Sequence, residues 1–146
     1  MIKEQNIITV LVGLLEAIEV DTEPVLQEVY DHIPAQVDAY PSAYVVPANW
    51  SEEYLDLRDT ANQMQFTIGI IYTLDPDMKQ GQIQLRSAVE KVRDVLKEQS
   101  NIDFNGTVDW SQLTTGTYTY DTRETKLAIC EITLTVIKRY SRYETN

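Results

Sequence analysis

The spacing of apolar residues along the chain predicts two amphipathic helices. Across positions 4–20, apolar side chains recur every three or four residues, as they do on one face of a helix. The same spacing returns across positions 78–99, directly after the Asp-Pro-Asp sequence at 75–77. In this second helix the predicted core residues are Ile83, Leu85, Ala88, Val89, Val92 and Leu96.

A two-residue alternation of apolar and polar side chains predicts two long strands, at 63–74 and 125–138. Each strand has one apolar face that needs cover, and the two helices carry apolar stripes that can cover it. We therefore predict that both strands lie in one sheet, with the helices over the face formed by Phe66, Ile68, Ile70, Ile132 and Leu134. The opposite face is predicted to be a wetted surface, and it carries Gln65, Thr67, Gly69, Glu131, Thr133 and Thr135.

Two shorter strands are predicted upstream, at 25–31 and at 42–47. In the second one, the apolar run at 43–46 stands between Pro41 and Pro47. Because proline cannot donate a ladder hydrogen bond, this strand is predicted to stop at both prolines and to lie at a sheet edge.

The remaining segments carry loop and turn signals. Residues 48–62 are predicted to form an acidic connector that is mobile in the isolated subunit. Residues 102–122 alternate apolar and polar positions around Asn105-Gly106 and Gly116, which predicts turns between short strands or arms.

These elements predict an α+β fold, with a mostly antiparallel sheet and two helices packed on one of its faces. A length of 146 residues suits a single domain with one core, so residues 1–146 are treated as one domain. No stretch approaches the roughly 18 consecutive apolar residues of a membrane span. The acidic residues Glu16, Glu19 and Asp21 replace the small-residue cleavage site of a signal peptide, so we expect an intracellular protein with no membrane partner.

Charge changes this picture most. The formal net charge is −11, which argues against a surface that binds nucleic acid by neutralising phosphates. Residues 1–60 hold 12 acidic side chains against Lys3 and Arg58, whereas residues 61–146 hold 11 acidic against 10 basic. One interpretation is a solvated acidic surface with an unimportant basic tail. The other is that acidic and basic parts of the chain meet between neighbouring copies.

The sequence has few residues in patterns typical of catalytic or metal-binding sites. His32 is the single histidine and Cys130 the single cysteine. The chain therefore has too few of these residues for a metal site built from several histidines or cysteines, and no spare histidine for a Ser-His-Asp triad. The carboxylates at 52, 53, 56 and 59 do not match the spacing of an EF-hand calcium loop and are interpreted as a solvated acidic loop. Five glycines form no phosphate-binding pattern. We therefore predict no catalytic, cofactor-binding or metal-binding residues, and no enzyme activity.

A resemblance is carried by two passages. The first is the pattern Val29-Tyr30, Ile33-Pro34, Tyr40-Pro41, Ala43, Val45 and Pro47, and the second is Phe66, Ile68, Ile71 and Tyr72. After an N-terminal helix, this pattern resembles the tail terminator, or tail completion, proteins of long-tailed bacteriophages. The resemblance covers about half of the chain by motif and nearly all of it by element order.

The resemblance implies a virion structural protein that assembles with itself into a ring, usually hexameric. Such a ring caps the tail tube protein and joins the tube to the head connector or neck protein, and it is assembled in the host cytoplasm. DNA passes through the ring without specific binding, and no cofactor is implied. The polar sheet face then becomes the predicted channel lining, through Gln65, Thr67, Glu131, Thr133 and Thr135.

The contacts between copies are predicted from aromatic and charged residues. Tyrosine, of which the chain has nine, buries area at interfaces while keeping a polar tip. The predicted interface residues are Tyr44, Trp50, Glu52, Glu53, Tyr54, Asp56, Arg139 and Arg142.

Two alternatives stay open. A head–tail connector or neck protein of the same virion would have a similar composition and would also form a ring. A small acidic host-directed protein, such as a DNA mimic, would act as a monomer or dimer and would collect its carboxylates on one surface.

Overall fold

The computed structural model describes residues 3–55, 58–98, 104 and 108–141. The elements in these residues are α1 (Glu4–Glu16), β1 (Glu19–Val20), β2 (Glu23–Pro24), β3 (Glu28–Tyr30), β4 (Ser42–Tyr54), β5 (Asp59–Thr73), α2 (Met78–Lys97), β6 (Trp110–Asp121) and β7 (Leu127–Ser141). Strands β1 and β2 form a small hairpin, and the other five form one sheet in the order β3-β4-β5-β7-β6. The pairing of β3 with β4 is parallel and the other pairs are antiparallel, so the predicted α+β class is confirmed.

The two long strands are adjacent in this sheet, as predicted. Phe66 stands opposite Leu134 and Ile68 opposite Ile132 along the β5–β7 ladder. The five residues predicted to lie under the helices are at most 3% exposed, and they share one core with the buried faces of both helices. The predicted cover of one sheet face by two helices is therefore confirmed.

The helix boundaries differ slightly from those predicted. Helix α1 ends at Glu16 instead of continuing to residue 20, because Glu19 and Val20 pair with Pro24 and Glu23 in the β1–β2 hairpin. Helix α2 begins after Asp77, whose carboxylate accepts a hydrogen bond from the Gln80 amide at 3.0 Å and so caps the first turn. Ile83 was predicted to face the core but is 38% exposed.

Strand β4 is longer than predicted. The chain does not stop at Pro47 but continues as strand to Tyr54, with a β-bulge between Pro47 and Asn49. Sheet edges and bulges are the two settings in which a strand tolerates proline, and Pro47 has both, because the described residues of β3 accompany β4 only along 42–44.

The predicted connector at 48–62 is therefore wrong in its structure. Most of it pairs as strand, since Trp50 stands opposite Met64 and Tyr54 opposite Thr60. The chain reverses between Tyr54 and Asp59, where the Leu55 amide donates a hydrogen bond to the Asp59 carbonyl at 3.0 Å. Its predicted mobility stays a prediction.

Two further predictions are corrected. The first strand, predicted at 25–31, is reduced to the three residues of β3. Gly116 was predicted in a turn, but it lies inside β6 opposite Ile132, just after a bulge between Leu113 and Thr115. A glycine next to a bulge is a recognised irregularity within a continuous strand. The predicted turn at Asn105-Gly106 lies outside the described residues.

Candidate functional site

The far ends of β4, β5 and β7 form a three-stranded arm, made of residues 50–54, 59–63 and 137–141. Its register places Glu52 opposite Asn62, and Asn62 opposite Lys138. Strand β6 accompanies this arm only at its base, because Trp110 pairs with Ile137. The arm gathers most of the predicted interface residues in one place.

One face of the arm, on the same side of the sheet as the helices, presents aromatic and acidic groups. Trp50 is 64% exposed and Tyr54 is 66% exposed, with Glu52 between them on the same strand face. The Tyr140 hydroxyl donates a hydrogen bond to the Glu52 carboxylate across the arm, at 3.0 Å. Burial and this bond to a carboxylate raise the pKa of Tyr140.

The opposite face of the arm brings acidic and basic residues of one subunit together. The Arg139 guanidinium lies 3.8 Å from the Asp59 carboxylate, and both side chains are well exposed at 63% and 40%. The Arg139 amide also donates to the Asp109 carboxylate at 2.6 Å. Arg139 was predicted to pair with a neighbouring copy, but it has acidic partners in its own chain. An exposed pair of this kind is weak and leaves the guanidinium free to exchange partners.

The side of the five-stranded sheet that faces away from the helices is called here the open face. The predicted channel residues all lie on it, because Gln65 pairs with Thr135, Thr67 with Thr133, and Gly69 with Glu131. The side-chain amide of Asn49 lies beside these residues and donates a hydrogen bond to the side-chain oxygen of Gln65 at 2.8 Å. Thr135 is only 7% exposed, so its neighbours hold most of the surface there. Across 65–69 and 131–135 the open face is thus a band of hydroxyl and amide groups with one carboxylate, whereas at the arm the same face carries Glu53, Asp59 and Arg139.

Tyr44 is placed differently from its prediction as an interface residue. It is 7% exposed and lies on the open face, where its ring occupies the space beside Gly69 that a Cβ would fill. Burial, and then the nearby Glu131 carboxylate, raise the pKa of Tyr44. The ring is packed within its own subunit.

A groove of about 240 Å³ between α2 and β6 was not predicted from the sequence. Arg93 and Lys97 form one wall, Leu113 and Tyr118 form the other, and Cys130 lies at its floor. The Tyr118 ring stacks on Tyr120, with centroids 6.3 Å apart and planes 10° from parallel. Burial raises the pKa of Cys130, which favours an unreactive thiol. Two features of the sequence point to this groove: Arg93 and Lys97, which are four residues apart on α2, and Tyr118 and Tyr120, which alternate along β6. They form one site only because β6 lies beside α2 in the folded chain.

Asp56 and Arg142, both predicted at interfaces, lie outside the described residues. Among the residues that the structure describes, there is no cluster of three or more potential metal-ligating side chains. In the same part of the chain, no helix combines the length and the apolar character needed to cross a bilayer.

Comparisons with known proteins show similarity at the level of the fold. No protein-family model matches the chain, and no curated protein sequence matches it. Among solved structures, the chain is similar to a chain of the virion of a native gene transfer agent (GTA) particle. The identity is 12% and the TM-score is 0.51, with 89% of this chain and 84% of that chain covered. The α+β architecture described above is therefore shared, over most of its length, with a component of that particle.

Proposed function

We propose that this chain is a structural subunit of a phage-type virion. The observation that carries the proposal is the fold shared with a chain of a gene transfer agent virion, because it extends over 89% of this chain. The resemblance of the 29–47 and 66–72 passages to tail terminator proteins supports the same class of function. Within that class, we propose a ring, hexameric as the resemblance implies, that caps the tail tube and joins it to the head connector.

The arm supports self-assembly. A ring requires a heterologous interface, in which two different patches of each copy meet and the rotation closes. Trp50 and Tyr54 expose about two-thirds of their surface on a paired strand, and such aromatic side chains are typical anchors of protein interfaces. A paired strand also presents them at less entropic cost than an unpaired loop would.

The open face supports a channel lining. DNA is retained by cationic surfaces that neutralise its phosphates. Gln65, Thr67, Thr133 and Thr135 are uncharged, and Glu131 beside them is exposed and acidic. A channel wall with these side chains would let DNA slide without holding it. The net charge of −11 acts in the same direction.

A head–tail connector or neck protein is the second candidate. The shared fold supports it equally well, because the neighbour is a whole virion and names no position within it. The two candidates differ in their binding partner. A terminator caps the end of the tail tube, whereas a connector binds a different neighbour in the same virion.

The mass of the purified protein in solution tests the proposal. Native mass spectrometry and negative-stain electron microscopy should detect a discrete six-subunit ring. Incubation of this ring with polymerised tail tubes should label tube ends for a terminator and leave them bare for a connector. A protein that stays monomeric up to roughly millimolar concentration, where even weak association is populated, would contradict the ring.

A further inference from the structure

The structure assigns an interface between copies of this chain: we propose that the β4 arm of one copy docks on the β6 edge and the adjoining α2–β6 groove of the next. This inference rests on the proposed ring and names the two surfaces that would close it. It begins from the strand order β3-β4-β5-β7-β6, in which β6 ends the sheet. Among the described residues, no strand pairs with the edge of β6 that faces away from β7. Likewise, no described strand pairs with the edge of β4 that faces away from β5 beyond Tyr44, where β3 ends.

Strand direction makes the two edges compatible. Strand β4 is antiparallel to β5, β5 to β7, and β7 to β6, so β4 and β6 run in opposite directions within one subunit. If copies repeat side by side with their helices on the same side, β4 of one copy therefore lies antiparallel to β6 of the next. Glu52 lies level with Lys138 and the groove with Ile132, so the next copy is offset along the strands by about six residues, or ~20 Å, to bring its groove beside the arm. Antiparallel addition at a free edge is a common way for a strand to bind a partner.

The same arrangement places complementary side chains on one side of the joined sheet. Trp50, Glu52 and Tyr54 point to the helix side of the arm, because they alternate with the open-face positions 51 and 53. The groove beside β6 also opens on the helix side, and its cationic wall is Arg93 and Lys97. An acidic and aromatic strand face thus meets a basic groove that carries its own exposed aromatic residue, Tyr118.

Charge also disfavours symmetric pairing of like edges. Two β4 arms side by side would bring Glu52 of one copy toward Glu52 of the other. Two β6 edges would bring two pairs of Arg93 and Lys97 together. Juxtaposed like charges disfavour an interface, whereas the β4-to-β6 contact pairs opposite charges. The repeating contact is therefore favoured over a two-fold dimer.

A charge-swap mixing experiment tests the interface. The groove variant carries Arg93→Glu with Lys97→Glu, and the arm variant carries Glu52→Lys. Alone, each variant presents like charges at both sides of the contact, so its association constant should fall by about tenfold or more. Mixed in equal amounts, the acidic groove of one variant accepts the lysine-bearing arm of the other, and the two unchanged surfaces still match. Alternating rings should then recover to within about threefold of the parent association constant.

The control variants place charge reversals on the wrong sides of the same two elements. Glu53→Lys changes the same arm on its open face, and Lys91→Glu changes α2 on the flank away from β6. Both should assemble nearly as the parent does. Circular dichroism of each variant before mixing confirms that it is folded, and recovery on mixing can arise only from folded chains.

The outcomes separate this inference from the proposed function. If the parent forms rings and both charge variants form them equally well, or if mixing restores nothing, the β4-to-β6 interface is wrong while the ring stands. If the parent itself forms no ring, the proposed function fails first.

Discussion

Single residues in this sheet meet different environments according to the face they occupy. Ile132 and Thr133 are neighbours in sequence, yet Ile132 is 3% exposed under the helices and Thr133 lies on the open face. Tyr44 and Gly69 form a second close relation, in which the absence of a side chain on one strand creates the space for a ring from the next. Stability should therefore follow the face of the sheet rather than the position along the chain.

The first prediction compares Ile132→Ala with Thr133→Ala. The Ile132 change removes methyl groups from a closed core and should lower the free energy of unfolding by about 2–5 kcal/mol. The Thr133 change removes a partly exposed hydroxyl and methyl and should be nearly neutral. Urea denaturation of both variants measures the difference. Equal losses would mean that the faces are inverted, and the channel assignment would be wrong with them.

The second prediction compares two glycines. A Cβ on Gly69 would overlap the Tyr44 ring, so Gly69→Ala should destabilise the protein by about 1–3 kcal/mol. Gly13, inside α1, has open space within 4 Å of the position that a Cβ would take, so Gly13→Ala should stabilise the helix by about 0.5–1 kcal/mol. Adding Tyr44→Ala to the Gly69 variant should remove the steric part of its penalty. A Gly69→Ala protein as stable as the parent would show that the ring moves aside freely.

At the scale of elements, turns and edges set the behaviour of the strands. The Asp121 carboxylate closes the β6–β7 turn by accepting hydrogen bonds from the amides of Arg123, Glu124 and Thr125 and from the Thr125 hydroxyl. At the other end of the sheet, β4 offers an edge whose predicted partner is another copy. The first feature is complete within one subunit, and the second is proposed to be completed by assembly.

The pH dependence of the β6–β7 turn is the third prediction. Hydrogen bonds from Glu124, Thr125 and Arg123 lower the pKa of Asp121 from 3.8 to about 2. Because the folded pKa lies below the unfolded value, the stabilisation is fully present above pH 3.8 and is lost as the pH falls through about 2. Asp121→Asn should therefore lower stability at pH 7 and should match the parent more closely near pH 2. Urea denaturation of both proteins at pH 7 and near pH 2, with Asp94→Asn as an exposed control, measures the stability difference, and an NMR pH titration of the parent measures the pKa of Asp121.

The fourth prediction concerns the outer edge of the arm. Backbone amides of 49–54 that point away from β5 should exchange quickly in the isolated subunit, because no described strand covers them. After assembly they should become protected, while amides of 64–72 should be protected in both states. Hydrogen–deuterium exchange on dissociated and assembled protein makes this comparison. Strong and equal protection of 49–54 in both states would contradict its role as a contact edge.

At the scale of the whole molecule, the sheet separates two chemically different surfaces. Its helix side holds the core, the groove and the aromatic face of the arm, whereas its open face has a mostly uncharged band of hydroxyl and amide groups at its middle and charged residues at the arm. Repetition of the subunit with the helices on one side would join the open faces into a continuous wall. The proposed channel and the proposed interface are therefore consistent with one arrangement.

The fifth prediction places a cation on that wall. Thr133→Lys should fold and assemble, because the site is on the open face and away from the core. In a ring, the added lysines would attract DNA phosphates and should slow DNA passage, so that complete particles eject less DNA. Thr133→Glu is the matched control and should pass DNA at nearly the parent rate. Normal ejection by the lysine variant would argue against this face as the channel lining.

The sequence by itself determined the elements with a strong period. The alternation in 63–74 and 125–138 and the helical spacing in 4–20 and 78–99 predicted most of the core correctly, because burying one apolar face leaves few alternatives. It also placed Gln65, Thr67, Glu131, Thr133 and Thr135 on one common face, since side chains in a strand alternate regardless of the neighbours.

Only the tertiary structure decided what happens at the edges. Whether a chain continues as strand past Pro47 depends on the bulge and on how far β3 accompanies β4, and neither is visible in local composition. The groove required β6 beside α2, and the pairing of Arg139 with Asp59 joined residues 80 positions apart in the chain. Local periodicity reports which side of an element is buried, but contacts between distant segments are set by strand order. The order of strands in the sheet therefore determined where the candidate interface lies.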